Sequence, residues 1–433
     1  VRDSTKGEKM EQLQEKCGVF GIRCDGSEAS RLTVWGLYNL QHRGQEGSGI
    51  ASSDYKKIYF HRGVGLVRDV FRKDSVIQKL AGSMAIGHNR YATFGGGGLR
   101  HVQPIIINDD FAFAHNGNLP SVKALRKFLR KHGVSVRRCS DSKLMALAIH
   151  WYMENGCSIK EAVVAAFPLF TGAFSCVAMT KTSLIAFRDE CGIRPLVMGK
   201  LNGGFVFASE TCALDLIDAM FIRDVNPGEL VIIDEAGVRS VQVVRSRPAF
   251  DLFEKVYFMR PDSLLDGRSV LSMRYKCGII LAKEHPVKVD LIVPVLETGS
   301  YAASAYGWKL RTRVIEALVK NRYAQRTFIL PDQRTRELGV RMKHSPVPDM
   351  VRGKRIALMD DSIVRGTTCK RLVKALRDAG AKEVHVVICS PPVRYPDFYG
   401  INTPKREKLI AAYRSVGEVC QYIGAGSLHY VSL

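Results

Sequence analysis

The sequence predicts two successive domains, an α+β layered one over residues 17–247 and an α/β one with a mainly parallel sheet over residues 248–433. Length is the first reason: 433 residues exceed one ordinary domain and suffice for two or three, each with its own core. The second is the stretch from Cys17 to about Val244, where short apolar runs are separated by Gly-rich turns and helical spacing appears only in places. The third is the regular alternation of strands and helices from Pro248 onward, which favours a doubly wound parallel sheet.

Taken in order, Gly18 to Ile22, Ile58 to Phe60 and Leu230 to Ile233 read as strands because each is a short, largely apolar run bounded by turn residues. Ser121 to His132, Asp141 to Asn155 and Ile159 to Phe167 carry apolar residues every three or four positions and read as helices. Arg245-Ser246-Arg247-Pro248 is the natural seam. Beyond it, Arg355 to Met359, Thr368 to Ala379 and Glu383 to Ile388 form one β-α-β unit.

Composition narrows the class. With 46% hydrophobic and 24% charged residues the chain is an ordinary globular protein, not a disordered, collagen-like or coiled-coil one. No window holds the roughly 18 consecutive apolar residues of a membrane span, so a cytoplasmic enzyme is expected. The 11 cysteines are scattered without a C-x-x-C pair and read as reduced thiols. Formal charge is +22, and residues 301–355 hold 13 basic against 4 acidic side chains. Such a stretch suits a polyanion, either nucleic acid or a small polyphosphate, or is simply a solvated face.

The sharpest local pattern runs from Leu358 to Thr368, after a strand and at the opening of a helix. A loop there aims backbone N–H groups and the helix dipole at an anion. Gly366 permits close backbone approach to a phosphate, Thr367 and Thr368 add hydroxyls, and Asp360 and Asp361 can take two ribose hydroxyls or hold Mg²⁺ through oxygen. An N-capped helix after an acidic loop is the bland alternative, but a cap needs only one such residue.

That loop resembles the ribose-phosphate motif of type I phosphoribosyltransferases, whose substrate is phosphoribosyl pyrophosphate. Val293 to Ser300 resembles the pyrophosphate-side loop of the same fold, and Lys320 to Phe328, continuing through Val340 to Lys343, resembles its substrate-closing loop. Upstream, Cys17 to Ile22, Gln41 to Gly47, Gly87 to Thr93, His115 to Asn118 and Ser140 to Ser142 resemble the N-terminal-nucleophile glutaminase domain with its αββα layers. The combination resembles the amidophosphoribosyltransferase family over about residues 17–430. The resemblance implies a glutamine-dependent transfer of ammonia to phosphoribosyl pyrophosphate, the first step of de novo purine synthesis.

It also implies roles. Cys17 would be the nucleophile with its own α-amino group as base, which requires removal of residues 1–16 as a leader or propeptide; Met10 is a plausible start. Asn116 and Gly117 would be the oxyanion donors, Arg90 and Asp141 would hold the ends of glutamine, and Arg43 and Gly44 would wall the pocket. Glu297, Thr298, Lys320, Tyr323, Asp360, Asp361, Ser362, Arg365, Gly366, Thr367 and Thr368 would bind phosphoribosyl pyrophosphate, with Asp360, Asp361 and Thr298 toward Mg²⁺. A homo-oligomer (dimer or tetramer) inhibited by purine nucleotides is implied as well.

Departures from the family pattern are local. Leu296 stands where proline is usual, Gly299 where many relatives have serine, and Lys143 where an acid is common. Asp397-Phe398-Tyr399-Gly400 lacks the cysteine of iron–sulfur members, and there is no C-terminal cysteine pair, so no cluster is expected. Two rivals remain at this point: a paralogue using another nitrogen source, and a phosphoribosyl pyrophosphate sensor that binds nucleic acid. No helix-turn-helix is evident, which makes nucleic acid the weaker partner.

Overall fold

The computed structural model describes residues 17–91, 98–320, 344–399 and 405–432. Its described residues divide into two compact units, one of those up to 251 with 397–399 and one of those from 252 to 396 with 405–432.

The first unit contains thirteen described strands: β1 (Gly18–Arg23), β2 (Gly47–Ser53), β3 (Ile58–Val64), β4 (Met84–Arg90), β5 (Ile105–Ile107), β6 (Phe111–Ser121), β7 (Thr171–Thr180), β8 (Leu184–Arg188), β9 (Val197–Leu201), β10 (Gly204–Ala208), β11 (Met220–Asp224), β12 (Glu229–Asp234) and β13 (Gly237–Gln242). They form two sheets, ordered β11-β9-β10-β1-β4-β2-β3 and β13-β12-β8-β7-β6-β5. Every pairing in both is antiparallel.

Strand alternation decides how the sheets stack, because successive side chains point to opposite faces. Val19 and Ile86 of the first sheet share one buried cluster with Ala112, Val177, Ala186 and Val231 of the second, so those faces meet. The alternate residues Phe20, Ile22 and Val206 pack instead with Leu37 from the helix Ala29–Asn39 and Leu214 from the helix Cys212–Asp215. On the far side, Phe113, Cys176 and Phe187 pack with Leu125, Met145 and Val163 from the helices Lys123–Lys131, Asp141–Glu154 and Ile159–Ala166. The result is the α-β-β-α layering that the resemblance implies.

After a helical segment, Glu254–Phe258, the second unit forms a short hairpin, β14 (Leu264–Leu265) with β15 (Arg268–Ser269). Its main sheet is built from β16 (Leu291–Pro294), β19 (Arg355–Asp360), β20 (Glu383–Ile388) and β21 (Leu428–Tyr430), all parallel and in that order. β17 (Leu318–Lys320) and β18 (His344–Pro346) pair as a separate two-stranded ribbon, whose Leu318 packs into the core under the main sheet. Helices cover both faces. Val293, Ile356 and Leu358 pack toward Leu372 and Val419, while Ile292, Ala357 and Met359 pack toward Leu281 and Tyr306.

Candidate active sites

Cys17 stands immediately before β1, which lies inside the seven-stranded sheet between β10 and β4. Its neighbours are fixed by backbone and side-chain bonds: Val19 N donates to Ser209 Oγ at 2.9 Å, and Ser209 N donates to Val19 O at 3.0 Å. Arg43 Nε donates to the Cys17 carbonyl at 3.1 Å. The same guanidinium donates through NH1 to Glu210 Oε1 at 2.5 Å, and His42 Nε2 lies 2.7 Å from that oxygen. Arg43 and Glu210 are both fully buried, where a lone charge is destabilising and a pair is tolerated. Arg43 thus grips the backbone of Cys17.

Gly44 brings β4 close. A Cβ there would meet the Asn89 and Arg90 carbonyl carbons at 2.7 Å, so a side chain would push the strand away. Arg90 ends β4 nearly buried, 3.9 Å from Glu46. The Cys17 sulfur is partly exposed and lies 4.0 Å from the Tyr91 carbonyl. Cys17, Arg43, Gly44 and Arg90 are therefore assembled by one set of strands and the short helix Gln41–Arg43.

Asn116 and Gly117 lie on β6 in the other sheet. His88 Nε2 on β4 donates to the His115 carbonyl at 3.2 Å and ties the two strands together. Burial holds His88 neutral, its pKa pushed down to about 3 against a weaker opposite pull from that hydrogen bond. The side chain of Asn116 is buried, and its Nδ2 has no hydrogen-bond partner among the described residues. Buried donors are nearly always satisfied, so an unused one needs an explanation. Gly117 has φ +145°, and a Cβ on it would lie 2.0 Å from Ala173 O. Only glycine fits.

Asp141 opens the helix Asp141–Glu154, with Ser140 rather than Asp141 as its cap: Ser140 Oγ accepts from Lys143 N at 3.2 Å. Asp141 Oδ2 accepts from Leu119 N at 3.3 Å and lies 3.9 Å from His115 Nδ1. That places the carboxylate beside the strand that carries Asn116 and Gly117.

In the second unit the loops after β16 and β19 sit side by side because these strands are parallel neighbours, with Pro294 opposite Met359. Ligands of open parallel sheets bind at this end of the strands. Thr298 Oγ1 donates to Asp361 Oδ2, and Ser362 Oγ donates to Asp361 Oδ1 at 2.5 Å. Asp361 N donates to Asp360 Oδ1 at 2.9 Å. Lys320, on β17, lies 3.7 Å from Glu297. Gly299 has its own reason: a Cβ would meet Met359 O at 2.5 Å.

Gly366 is left-handed at φ +75° and precedes the helix Thr367–Asp378, whose first turn has no side-chain cap. The backbone N–H groups there are available to an anion, with exposed Thr367 and Thr368 beside them and Arg365 half-buried. Tyr323, the rest of the basic loop, Ala92 and Thr93 of the Gly87–Thr93 motif, and residues 1–16 lie outside the described residues.

A family model described as a glutamine amidotransferase domain matches residues 88–216. The amidophosphoribosyltransferase of Synechococcus elongatus is 45% identical over 98% of this chain and 88% of its own length, and that of Bacillus subtilis is 43% identical over 98% and 90%. The chain belongs to the amidophosphoribosyltransferase family. It is a transferase with a glutamine amidotransferase domain, and its reaction is the glutamine-dependent amination of phosphoribosyl pyrophosphate that opens purine synthesis. Among solved structures, the Bacillus subtilis glutamine phosphoribosylpyrophosphate amidotransferase complexed with ADP and GMP shares 42% identity and a TM-score of 0.89 over 96% of this chain and 91% of that one. Membership makes the chain an enzyme that uses phosphoribosyl pyrophosphate rather than only a sensor of it.

Glu210 is the residue that sequence reasoning missed. Its signal is weak but present: Ser209-Glu210-Thr211 is a polar triplet directly after the apolar strand β10, and all three are buried.

Proposed function

We propose that Cys17 is the nucleophile of the glutaminase half-reaction, with residues 17–247 as the glutaminase domain and 248–433 as the transferase domain. Removal of residues 1–16 gives Cys17 a free α-amino group, which takes the thiol proton; its ordinary pKa of roughly 7.7–8.0 suits it to neutral pH. The thiolate attacks the side-chain carbonyl of glutamine and the oxygen becomes negative in a tetrahedral adduct; the α-ammonium returns its proton to the nitrogen, ammonia leaves as the adduct collapses to a thioester, and water cleaves that thioester to glutamate and the free thiol. Arg90 pairs with the substrate carboxylate and Asp141 with its ammonium. Arg43 is a positioning residue that holds Cys17 through its carbonyl, and Gly44 shapes the wall.

The observation that carries this reading is the unused Asn116 Nδ2, a buried donor beside Gly117. An oxyanion hole needs a donor set in place before charge appears.

At the second site the ammonia displaces pyrophosphate from C1 of phosphoribosyl pyrophosphate, giving 5-phosphoribosylamine. Asp360 and Asp361 take the ribose hydroxyls, the Ser362-to-Thr368 loop takes the 5-phosphate, and Glu297, Thr298, Lys320 and Tyr323 lie toward the pyrophosphate. No cluster of three or more His, Cys, Asp or Glu side chains that could hold a metal occurs among the described residues. Two adjacent carboxylates beside Thr298 nevertheless fit Mg²⁺, which keeps substrate oxygens and water in its shell; bound there it would neutralise the leaving pyrophosphate. A cytoplasmic homo-oligomer inhibited by purine nucleotides completes the proposal, supported by the relative complexed with ADP and GMP.

The test is Cys17→Ala. It should abolish glutamine-dependent synthesis and leave ammonia-dependent synthesis within about twofold of wild type, since the second site is separate. Loss of both activities in a folded variant would overturn the assignment.

A further inference from the structure

A pocket of about 290 Å³ in the first unit contains none of the residues assigned above to glutamine. Arg62, Arg100, Arg138 and Lys143 line it, with His101 and the Cys139 thiol, and no carboxylate lines it. None of the four cations forms an ion pair with a carboxylate among the described residues. Their polar contacts are with backbone: Arg62 NH1 donates to the Val102 and Pro104 carbonyls at 3.1 and 3.2 Å, and Arg100 NH2 donates to the Arg138 carbonyl at 3.0 Å. Those carbonyls hold the guanidiniums of Arg62 and Arg100 without neutralising them.

Like charges gathered in one concavity repel, and partial burial strengthens the repulsion. Lys143 feels it: burial lowers its pKa from the ordinary lysine value, and the Arg62 charge adds to the fall against an opposing contribution from Cys139. A solvated basic face would spread such side chains outward. Here half-buried Arg62 and Lys143 and exposed Arg100 and Arg138 border one volume at the lower end of small-ligand sites.

We infer that this pocket is a binding site for a compact multivalent oxyanion of the phosphate or pyrophosphate class, distinct from both substrate sites. Three guanidiniums offer planar donor forks that match phosphate oxygens, and Lys143 adds a point charge. The volume admits a phosphate or a pyrophosphate with its water, and a monocarboxylate would leave most of the charge unmet. The pocket lies against the glutaminase machinery, since Gln103 on its wall accepts from His115 N at 2.8 Å and Ser140 precedes Asp141.

Cys139 gives a local readout that binding at the transferase site does not imitate. In the full-length Cys17→Ala chain, alkylation of Cys139 by iodoacetamide is followed by peptide mass spectrometry, with partly exposed Cys157 as internal control. Pyrophosphate or phosphate at about ten times its dissociation constant should slow Cys139 about tenfold by mass action and leave Cys157 unchanged. The added Arg138→Gln and Lys143→Gln substitutions should remove the protection. ADP is the third probe: protection by ADP alone would mean that the phosphate is held as part of a nucleotide, which supports the class and changes the source. Protection that persists in the double variant, or that sodium chloride of equal ionic strength reproduces, would overturn the site.

Discussion

At the residue scale, the two most informative side chains are opposites. Arg43 is a fully buried charge with its partner in place, and Asn116 is a buried donor without one. Removing a satisfied buried partner is destabilising, whereas removing an unsatisfied donor is not, apart from the small cavity left. Asn116→Ala should therefore reduce kcat for glutamine hydrolysis by about 10²–10³, the usual loss for one oxyanion donor, while thermal stability stays within a few degrees. Steady-state kinetics with a melting curve checks both halves. A large fall in stability with unchanged kcat would make Asn116 a structural residue. The sequence made Asn116 and Gly117 visible through their motif, and made Glu210 nearly invisible, because a carboxylate whose partners are 167 and 168 residues away leaves no local periodicity.

At the element scale, the helix Asp141–Glu154 delivers Asp141, and Ser140 anchors its first turn. Ser140→Ala removes the acceptor of Lys143 N and should cost about 1 kcal/mol of stability. Because fraying of that turn also loosens Asp141, KM for glutamine should rise more than kcat falls, which initial rates over a glutamine series would reveal; an unchanged KM would detach the turn from substrate binding. Elements of this kind were legible. The expected strand Glu383 to Ile388 and helix Asp141 to Asn155 match the observed ones within a residue, since apolar spacing and caps are local signals. Gly299 was legible only as a departure. The 2.5 Å approach of Met359 O that demands glycine there depends on a strand 60 residues distant, and spacing along the chain does not encode it.

At the scale of the whole molecule, the two units carry separate chemistry, so Asp361→Asn should abolish synthesis from both glutamine and ammonia and leave basal glutamine hydrolysis measurable; equal loss of hydrolysis in a folded variant would contradict that division. Stability should respond to acid in a definite window. His88 is neutral in the folded chain at a pKa of about 3, against 6.5 for an ordinary histidine, so the unfolded chain binds the extra proton between those values. Stability is then full above pH 6.5 and falls as pH drops toward 3, at up to about 1.4 kcal/mol per pH unit from this one group. Melting curves from pH 7 to 5 should show the fall, and His88→Gln should flatten it. Lastly, the first unit recruits residues 397–399, which follow nearly the whole second unit in the chain. Asn118 Nδ2 donates to the Phe398 carbonyl at 2.7 Å, and buried Arg194 donates to the Tyr399 carbonyl at 3.2 Å. A ribosome that has translated only as far as residue 396 has already made every glutaminase motif but neither of those acceptors. The half that liberates ammonia thus receives its closing hydrogen bonds only after most of the half that consumes ammonia has been synthesised.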